Sequence, residues 1–163
     1  DNLYECRTYA KEFTPHAPNL LFYGSTGLGK TFLSTCIAEE VSARGFSIAY
    51  DTAINIIATY ETIKFGNGDG EAAAERAARY ERADLLIIDD MGTEMGTAFT
   101  VSALYNLINS RLMAKRPMII NTNLLPEQLS DKYSPAVASR LRGEFKPLHF
   151  VGDDIRLMKK KQR

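Results

Sequence analysis

The sequence has no tryptophan, only two cysteines and two histidines, and no excess charge of either sign. Each shortage excludes something. Cys6 and Cys36 form no CxxC pair, and His16 and His149 stand far apart in the chain, so neither a disulfide framework nor a zinc site is expected. Thiols outside any framework fit a reducing, cytoplasmic setting. Twenty Lys and Arg against twenty Asp and Glu leave a net charge of zero. No global field draws such a chain to nucleic acid, and any contact of that kind must rest on a local patch. No apolar run approaches the length of a bilayer span and no signal peptide is visible, so no membrane partner is expected. There is no internal repeat, and the one biased stretch is Gly66-Asn67-Gly68-Asp69-Gly70.

What is present, 45% hydrophobic and 25% charged residues over 163 positions, suits one globular domain with a core of its own. Its organising stretch begins at Leu20. Four apolar residues lead into Gly24-Ser25-Thr26-Gly27-Leu28-Gly29-Lys30-Thr31, and an amphipathic run from Phe32 to Arg44 follows. A strand, a glycine loop and a helix in that order are the context of a phosphate-binding P-loop. Gly24 and Gly29 permit positive φ, which lets the loop turn its N–H groups inward on phosphate oxygens at the positive end of a helix. Lys30 would bring an ammonium to the β- and γ-phosphates, and Thr31 a hydroxyl to Mg²⁺. A glycine turn that binds nothing is the alternative, disfavoured because loop, strand and helix agree.

The remaining pattern predicts a helix over 2–13 ended by Thr14, Pro15 and Pro18, a strand over 19–23, and a helix over 30–43 stopped by Gly45. A strand over 46–50 follows, then a helix to about 65 capped by Asp51 or Thr52, and a helix over 71–82. Next come a buried strand over 84–89, a helix over 98–114, a strand over 117–122, short helices over 127–132 and 135–141, a strand over 146–151 and a terminal helix over 155–161. Strands alternating with helices imply an α/β fold, a parallel sheet covered on both faces with its ligand at the carboxyl ends of the strands.

Leu85-Leu86-Ile87-Ile88-Asp89-Asp90 carries two carboxylates to a strand end. Asp89 can bind Mg²⁺ opposite Thr31, and Asp90 can accept a proton from an attacking water. Alone these are solvated acids. Downstream of a P-loop they specify the other side of one metal–phosphate site. The fourth strand ends in Asn121-Thr122-Asn123, where Asn123 is the preferred residue to hold the water or the γ-phosphate; a cap or turn role is equally open. Arg140 and Arg156 present guanidinium forks suited to phosphate, although most such arginines are ordinary surface groups. Tyr60, Lys64, Phe65, Arg76, Arg79 and Arg82 mix aromatic and basic residues as single-stranded DNA would need. Glu61, Glu71, Glu75 and Glu81 dilute that charge, and a solvated amphipathic helix fits as well.

Together these motifs resemble the P-loop ATPases of the AAA+ superfamily, and within it the DnaC/DnaI/IstB branch of replicative helicase loaders and transposition helpers. The resemblance spans nearly the whole chain. It rests on residues 19–31, on 83–94 (Ala-Asp-Leu-Leu-Ile-Ile-Asp-Asp-Met-Gly-Thr-Glu), on Asn121-Thr122-Asn123-Leu124, on Ser139-Arg140-Leu141, and on Gly152-Asp153-Asp154-Ile155-Arg156. It implies a five-stranded parallel sheet in the order 5-1-4-3-2 with a minimal or absent lid. It implies that Lys30 and Thr31 bind ATP and Mg²⁺, that Asp89 binds Mg²⁺, that Asp90 activates water and that Asn123 is a first sensor. Arg140 resembles the arginine finger inserted into a neighbour's ATP site, and Arg156 the second-sensor arginine that reads its own subunit's nucleotide.

The same resemblance makes 1–163 one ATPase domain: 1–18 a helix and linker, 19–151 the core, 152–163 a second-sensor stub, with a helicase-binding N-terminal module missing. The implied function is a loader in which nucleotide state controls self-assembly and engagement of a replicative helicase and single-stranded DNA. A transposition helper is the runner-up. A small-molecule P-loop kinase is disfavoured by the Asp89-Asp90 pair and the lack of an arginine-rich closing lid. Many AAA+ proteins have Glu where this chain has Asp90, and the shorter reach implies slow, partner-stimulated hydrolysis.

Overall fold

The chain runs α1 (Asn2–Glu12), β1 (Asn19–Gly24), α2 (Lys30–Ala43), β2 (Ile48–Thr52), α3 (Ala53–Phe65), α4 (Gly70–Arg82), β3 (Leu85–Met91), α5 (Ala98–Met113), β4 (Met118–Thr122), α6 (Pro126–Lys132), α7 (Pro135–Glu144), β5 (Phe145–Phe150). These elements come from a computed structural model that describes residues 1–152. The helix expected over 155–161 lies outside the described residues. All strand pairs are parallel, in the order β2-β3-β4-β1-β5, which is the expected order read from the opposite edge.

Both sheet faces are apolar, so the strands read as hydrophobic runs and residue parity assigns each side chain to a face. Leu20, Phe22, Leu85, Ile87 and Ile119 pack with Ile37 and Val41 of α2 and with Cys6, Tyr9 and Ala10 of α1. Leu21, Leu86, Ile88, Met118 and Ile120 pack on the other face with Ile56 and Ile57 of α3, Leu104, Leu107 and Ile108 of α5, and Val137 and Leu141 of α7. Helix starts are set by side-chain caps. Thr52 accepts from the Asn55 N–H, Asp69 from Ala72 and Thr97 from Thr100, each at 3.0–3.1 Å. Each such cap is worth about 1 kcal/mol.

Several boundaries shift from the pattern, α7 for example running on to Glu144, and two of the shifts shape the site. β2 begins at Ile48 rather than 46, because Phe46 turns away to pack edge-on against Phe13, ring centroids 5.1 Å apart, with the Arg44 guanidinium over its ring. β3 continues to Met91 rather than ending at 89. Its register with β4 moves from Ile88 opposite Ile120 to Met91 opposite Thr122, so β3 holds one extra residue. Asp90 takes φ 52 within this bulge, a left-handed conformation that Asp and Asn tolerate better than most residues. Bulges of this kind re-aim side chains beside active sites. Among the described residues no helix is long and apolar enough to cross a membrane.

Candidate functional site

The loop between β1 and α2 is built from close approaches that only glycine permits. Gly24 has φ 135, and a Cβ there would lie 2.1 Å from the Phe150 carbonyl oxygen of β5. Gly29, at φ 91, caps α2 without a side-chain hydrogen bond. The first N–H groups of the helix are thereby left for an anion. Ser25, Thr26, Gly27 and Leu28 form the rest of the loop, Gly27 also at positive φ. Lys30 is only 6% exposed. Its ammonium donates to the carbonyls of Gly24 at 2.6 Å and Ser25 at 2.7 Å. Burial lowers its pKa, and the negative charges of Asp90 and Asp89 only partly counter that. A buried cation held by two neutral carbonyls inside an N–H-lined loop fits a polyphosphate.

Strand parity brings the acid to the same place. Asp89 continues the Leu85, Ile87 series and Asn121 the Ile119 series, so both face α2. Asp89 is 4% exposed. Its Oδ1 accepts from the Thr31 hydroxyl at 3.1 Å, the Asn121 side-chain amide at 3.0 Å and the Asp90 N–H at 3.0 Å. Its Oδ2 accepts from the Tyr50 hydroxyl at 3.1 Å. Burial pushes the Tyr50 phenol up to about 12, so it remains a donor at neutral pH. Ser34, one helical turn past Lys30, donates to the Lys30 carbonyl at 2.8 Å and touches the Asn121 amide. Among the described residues no group of three or more His, Cys, Asp or Glu could hold a metal. The donors present are one carboxylate and one hydroxyl, hard oxygens of the kind that hold Mg²⁺ together with substrate phosphates.

Asn121→Ala is therefore expected to cost about 1–3 kcal/mol in chemical denaturation, the range for unpairing buried polar groups. An unchanged midpoint would remove Asn121 from this network.

Asp90 is exposed at the bulge, with the Thr93 hydroxyl donating to its carbonyl at 2.9 Å. Asn123 lies just beyond β4 and is half-buried; the asparagine in contact with Asp89 is Asn121. Arg140 is exposed on α7, outside the cluster around Asp89, and Arg156 lies outside the described residues. On α3 the Lys64 ammonium sits over the Phe65 and Phe99 rings, 5.6 and 4.9 Å from their centroids. Arg76 donates to the Thr59 hydroxyl at 3.2 Å, while Arg79 and Arg82 are exposed. Sequence reasoning missed Ser34 and Tyr50, and of the two asparagines at the end of β4 it preferred Asn123, whereas Asn121 is the one that touches Asp89. The available signal was their spacing: Ser34 four residues after Lys30, and two polar side chains on the strand face that α2 covers.

A parallel sheet in this order, with its phosphate loop between β1 and α2, is the architecture of the AAA+ P-loop ATPases. Solved structures share it. The crystal structure of the DnaC helicase loader matches with a TM-score of 0.79 over 92% of this chain and 88% of that one, at 19% identity. AMPPCP-bound DnaA from Aquifex aeolicus matches with a TM-score of 0.77 over 97% of this chain and 49% of that one, at 24% identity. Within this class the chain belongs to the family of IstB-like ATP binding proteins, whose profile matches residues 6–162. It is 26% identical over 140 residues to the replicative helicase loader DnaC of Escherichia coli, covering 86% of this chain and 56% of the loader. It is 25% identical over 124 residues to an insertion-sequence ATP-binding protein of Mycobacterium tuberculosis, covering 76% of this chain and 48% of that protein. The chain thus spans about half the length of the curated relatives it matches.

Proposed function

We propose that this domain is an ATP-hydrolysing assembly switch of a DnaC-like helicase loader, with a replicative helicase and single-stranded DNA as its partners in the cytoplasm. The observation that carries the reading is Arg140. It is exposed on α7, and among the described residues it has no hydrogen-bond or ion-pair partner, on a chain that also holds a complete phosphate loop. An arginine of that kind is available to another subunit's nucleotide, and an arginine supplied in trans stabilises the charge of phosphoryl transfer.

With ATP in the loop, the Lys30 ammonium exchanges its two carbonyls for phosphate oxygens. When bound at Thr31 and Asp89, Mg²⁺ supplies neutralisation of phosphate charge. Tyr50 and Asn121 hold the Asp89 carboxylate in place. Asp90 takes the proton of the attacking water, Asn123 orients that water or the γ-phosphate, Arg156 reads the subunit's own nucleotide, and Arg140 reaches a neighbour's γ-phosphate. Loss of that phosphate removes the arginine's partner and loosens the assembly. The similarity to DnaC favours a loader. A transposition helper is the second reading, favoured by the family match and the insertion-sequence relative, and capture of a hexameric replicative helicase by the full-length protein would separate the two.

Asp90→Asn tests hydrolysis. Asn tolerates the positive φ at this position, so the bulge survives, while the proton acceptor is lost. Binding of an ATP analogue is expected to be kept and turnover to fall by about 10²–10⁴-fold, the usual contribution of a general base. Turnover at the wild-type rate would show that Asp90 is not the base, and no turnover by the wild-type protein would remove the hydrolytic switch.

A further inference from the structure

Glu94 is 5% exposed, yet it stands outside the phosphate site, in the loop that follows β3. Its Oε2 accepts from the Gly92 N–H at 2.9 Å, and its Oε1 accepts from the Tyr133 hydroxyl. Lys132 crosses to the same loop, its ammonium donating to the carbonyls of Gly92 and Glu94, each at 2.6 Å. The loop is pressed onto its surroundings. A Cβ at Gly92, φ 110, would lie 2.7 Å from Leu124 Cδ1, and one at Gly96 would lie 3.4 Å from the Lys132 carbonyl oxygen. Apolar packing could fill such a place with less desolvation cost than a buried carboxylate. The arrangement instead makes a directional tie.

The two ends of that tie are the notable parts. At one end, Thr93 and Thr122 hydroxyls hold the carbonyls of Asp90 and Met91 at 2.9 and 2.6 Å, so the loop is continuous with the bulge that presents Asp90. At the other end, Lys132 closes α6, Tyr133 follows it, and Ser134 already caps α7, accepting from the Val137 N–H at 3.3 Å. Two residues join the helices, leaving little slack between the tied lysine and tyrosine and the helix that carries Arg140.

We propose that Glu94, Lys132 and Tyr133 are positioning residues that fix α7 against the loop following Asp90 and so aim Arg140 at a neighbouring subunit. The inference rests on the reading of Arg140 as an arginine used in trans. It places the arginine a subunit offers under the control of a buried lock in that same subunit.

Mixed assemblies test it. Arg140→Ala subunits hold ATP and offer no arginine; Lys30→Ala subunits offer Arg140 and cannot hold ATP. Their mixture should hydrolyse ATP where neither does alone. Glu94→Gln placed in the Lys30→Ala donor should then lower kcat of the mixture by about 10- to 100-fold, as a displaced catalytic group does, with KM for ATP unchanged. Glu94→Gln placed in the Arg140→Ala acceptor should cost far less than in the donor, because the Thr93 and Thr122 hydroxyls still hold the bulge that presents Asp90, a control that also shows the variant folds. Tyr133→Phe, a milder change, should repeat the donor-only pattern. No loss in either placement, or equal loss in both, overturns the proposal. If the starting mixture without a Glu94 change stays inactive, the trans reading itself fails and this inference with it, a result visible before Glu94 is touched.

Discussion

Lys30→Ala is expected to remove ATP binding while leaving the nucleotide-free domain folded. The ammonium is buried, its hydrogen-bond partners are two neutral carbonyls, and burial lowers its pKa. In the absence of nucleotide the desolvation cost of the charge is set against its two hydrogen bonds and the nearby Asp89 and Asp90 carboxylates, so its loss should change the melting temperature little. With ATP the same group is expected to make charge-assisted bonds to phosphate, together worth about 3–4 kcal/mol, on the order of 10²–10³-fold in affinity. Two measurements separate these effects. Titration calorimetry should show the affinity loss. The stabilisation that saturating ATP gives the wild-type domain, about 2.7 kcal/mol at a hundredfold excess over Kd, should vanish in the variant. A variant that binds ATP as the wild type does would mean that the loop from Gly24 to Thr31 is not the nucleotide cradle.

Arg111→Met is expected to be the most damaging single change to stability, costing about 3–5 kcal/mol, because four backbone carbonyls lose this donor and each buried polar group left unpaired costs about 1–3 kcal/mol before any rearrangement. Arg111 is 0% exposed. Its Nη1 donates to the carbonyls of Tyr80 at 2.9 Å, Glu81 at 3.2 Å and Ala83 at 2.9 Å, and its Nη2 to that of Pro117 at 2.8 Å. The first three lie at the end of α4, where carbonyls lack helical partners and the helix dipole favours a cation. The Pro117 carbonyl also accepts from the Leu86 N–H at 3.2 Å. One guanidinium thus joins α5, the end of α4 and the amino ends of β3 and β4. Burial pushes its pKa down to about 10, so it stays charged near neutral pH. Methionine keeps the volume of the stem and supplies no donor, so the loss reads the hydrogen bonds rather than a cavity. Chemical denaturation measures it. A loss below about 1 kcal/mol, the net worth of one ordinary hydrogen bond, would show that these bonds do not hold the layers. Because the proposed phosphate site is at the opposite, carboxyl ends of the strands, KM for ATP in the folded fraction should not change.

Much of the site was legible because its parts are contiguous. Residues 24–31 carry their own instructions: glycines where positive φ or a backbone contact demands them, then a lysine and a threonine at the first positions of a helix. α2 accordingly runs from Lys30 to Ala43 as its pattern requires. Asp89 and Asp90 were legible as a pair. The bulge beneath them was not, because an extra residue in a ladder shows only in its pairing with β4. Two asparagines flank Thr122, and composition cannot choose between them. The face covered by α2 selects Asn121 as the contact of Asp89, with Asn123 beyond the strand end. Tyr50 lies within the expected strand, but its role depends on the pairing of β2 with β3 that brings its hydroxyl to Asp89, which the segment alone does not specify. Arg111 and Glu94 look like ordinary surface charges, one inside a helix and one in a loop; their partners fold over them from other elements.

The sequence by itself determined the class of chemistry, because phosphate binding needs a short, contiguous run whose backbone geometry is local. It also determined the alternating α/β order and with it the edge of the sheet where the site must lie. The tertiary structure decided which polar side chains are turned inward. The side-chain donors that hold Asp89 come from Thr31, Tyr50 and Asn121, which lie 58, 39 and 32 residues away. A buried carboxylate is settled by such partners, and the sheet register that brings them together is a property of the whole fold.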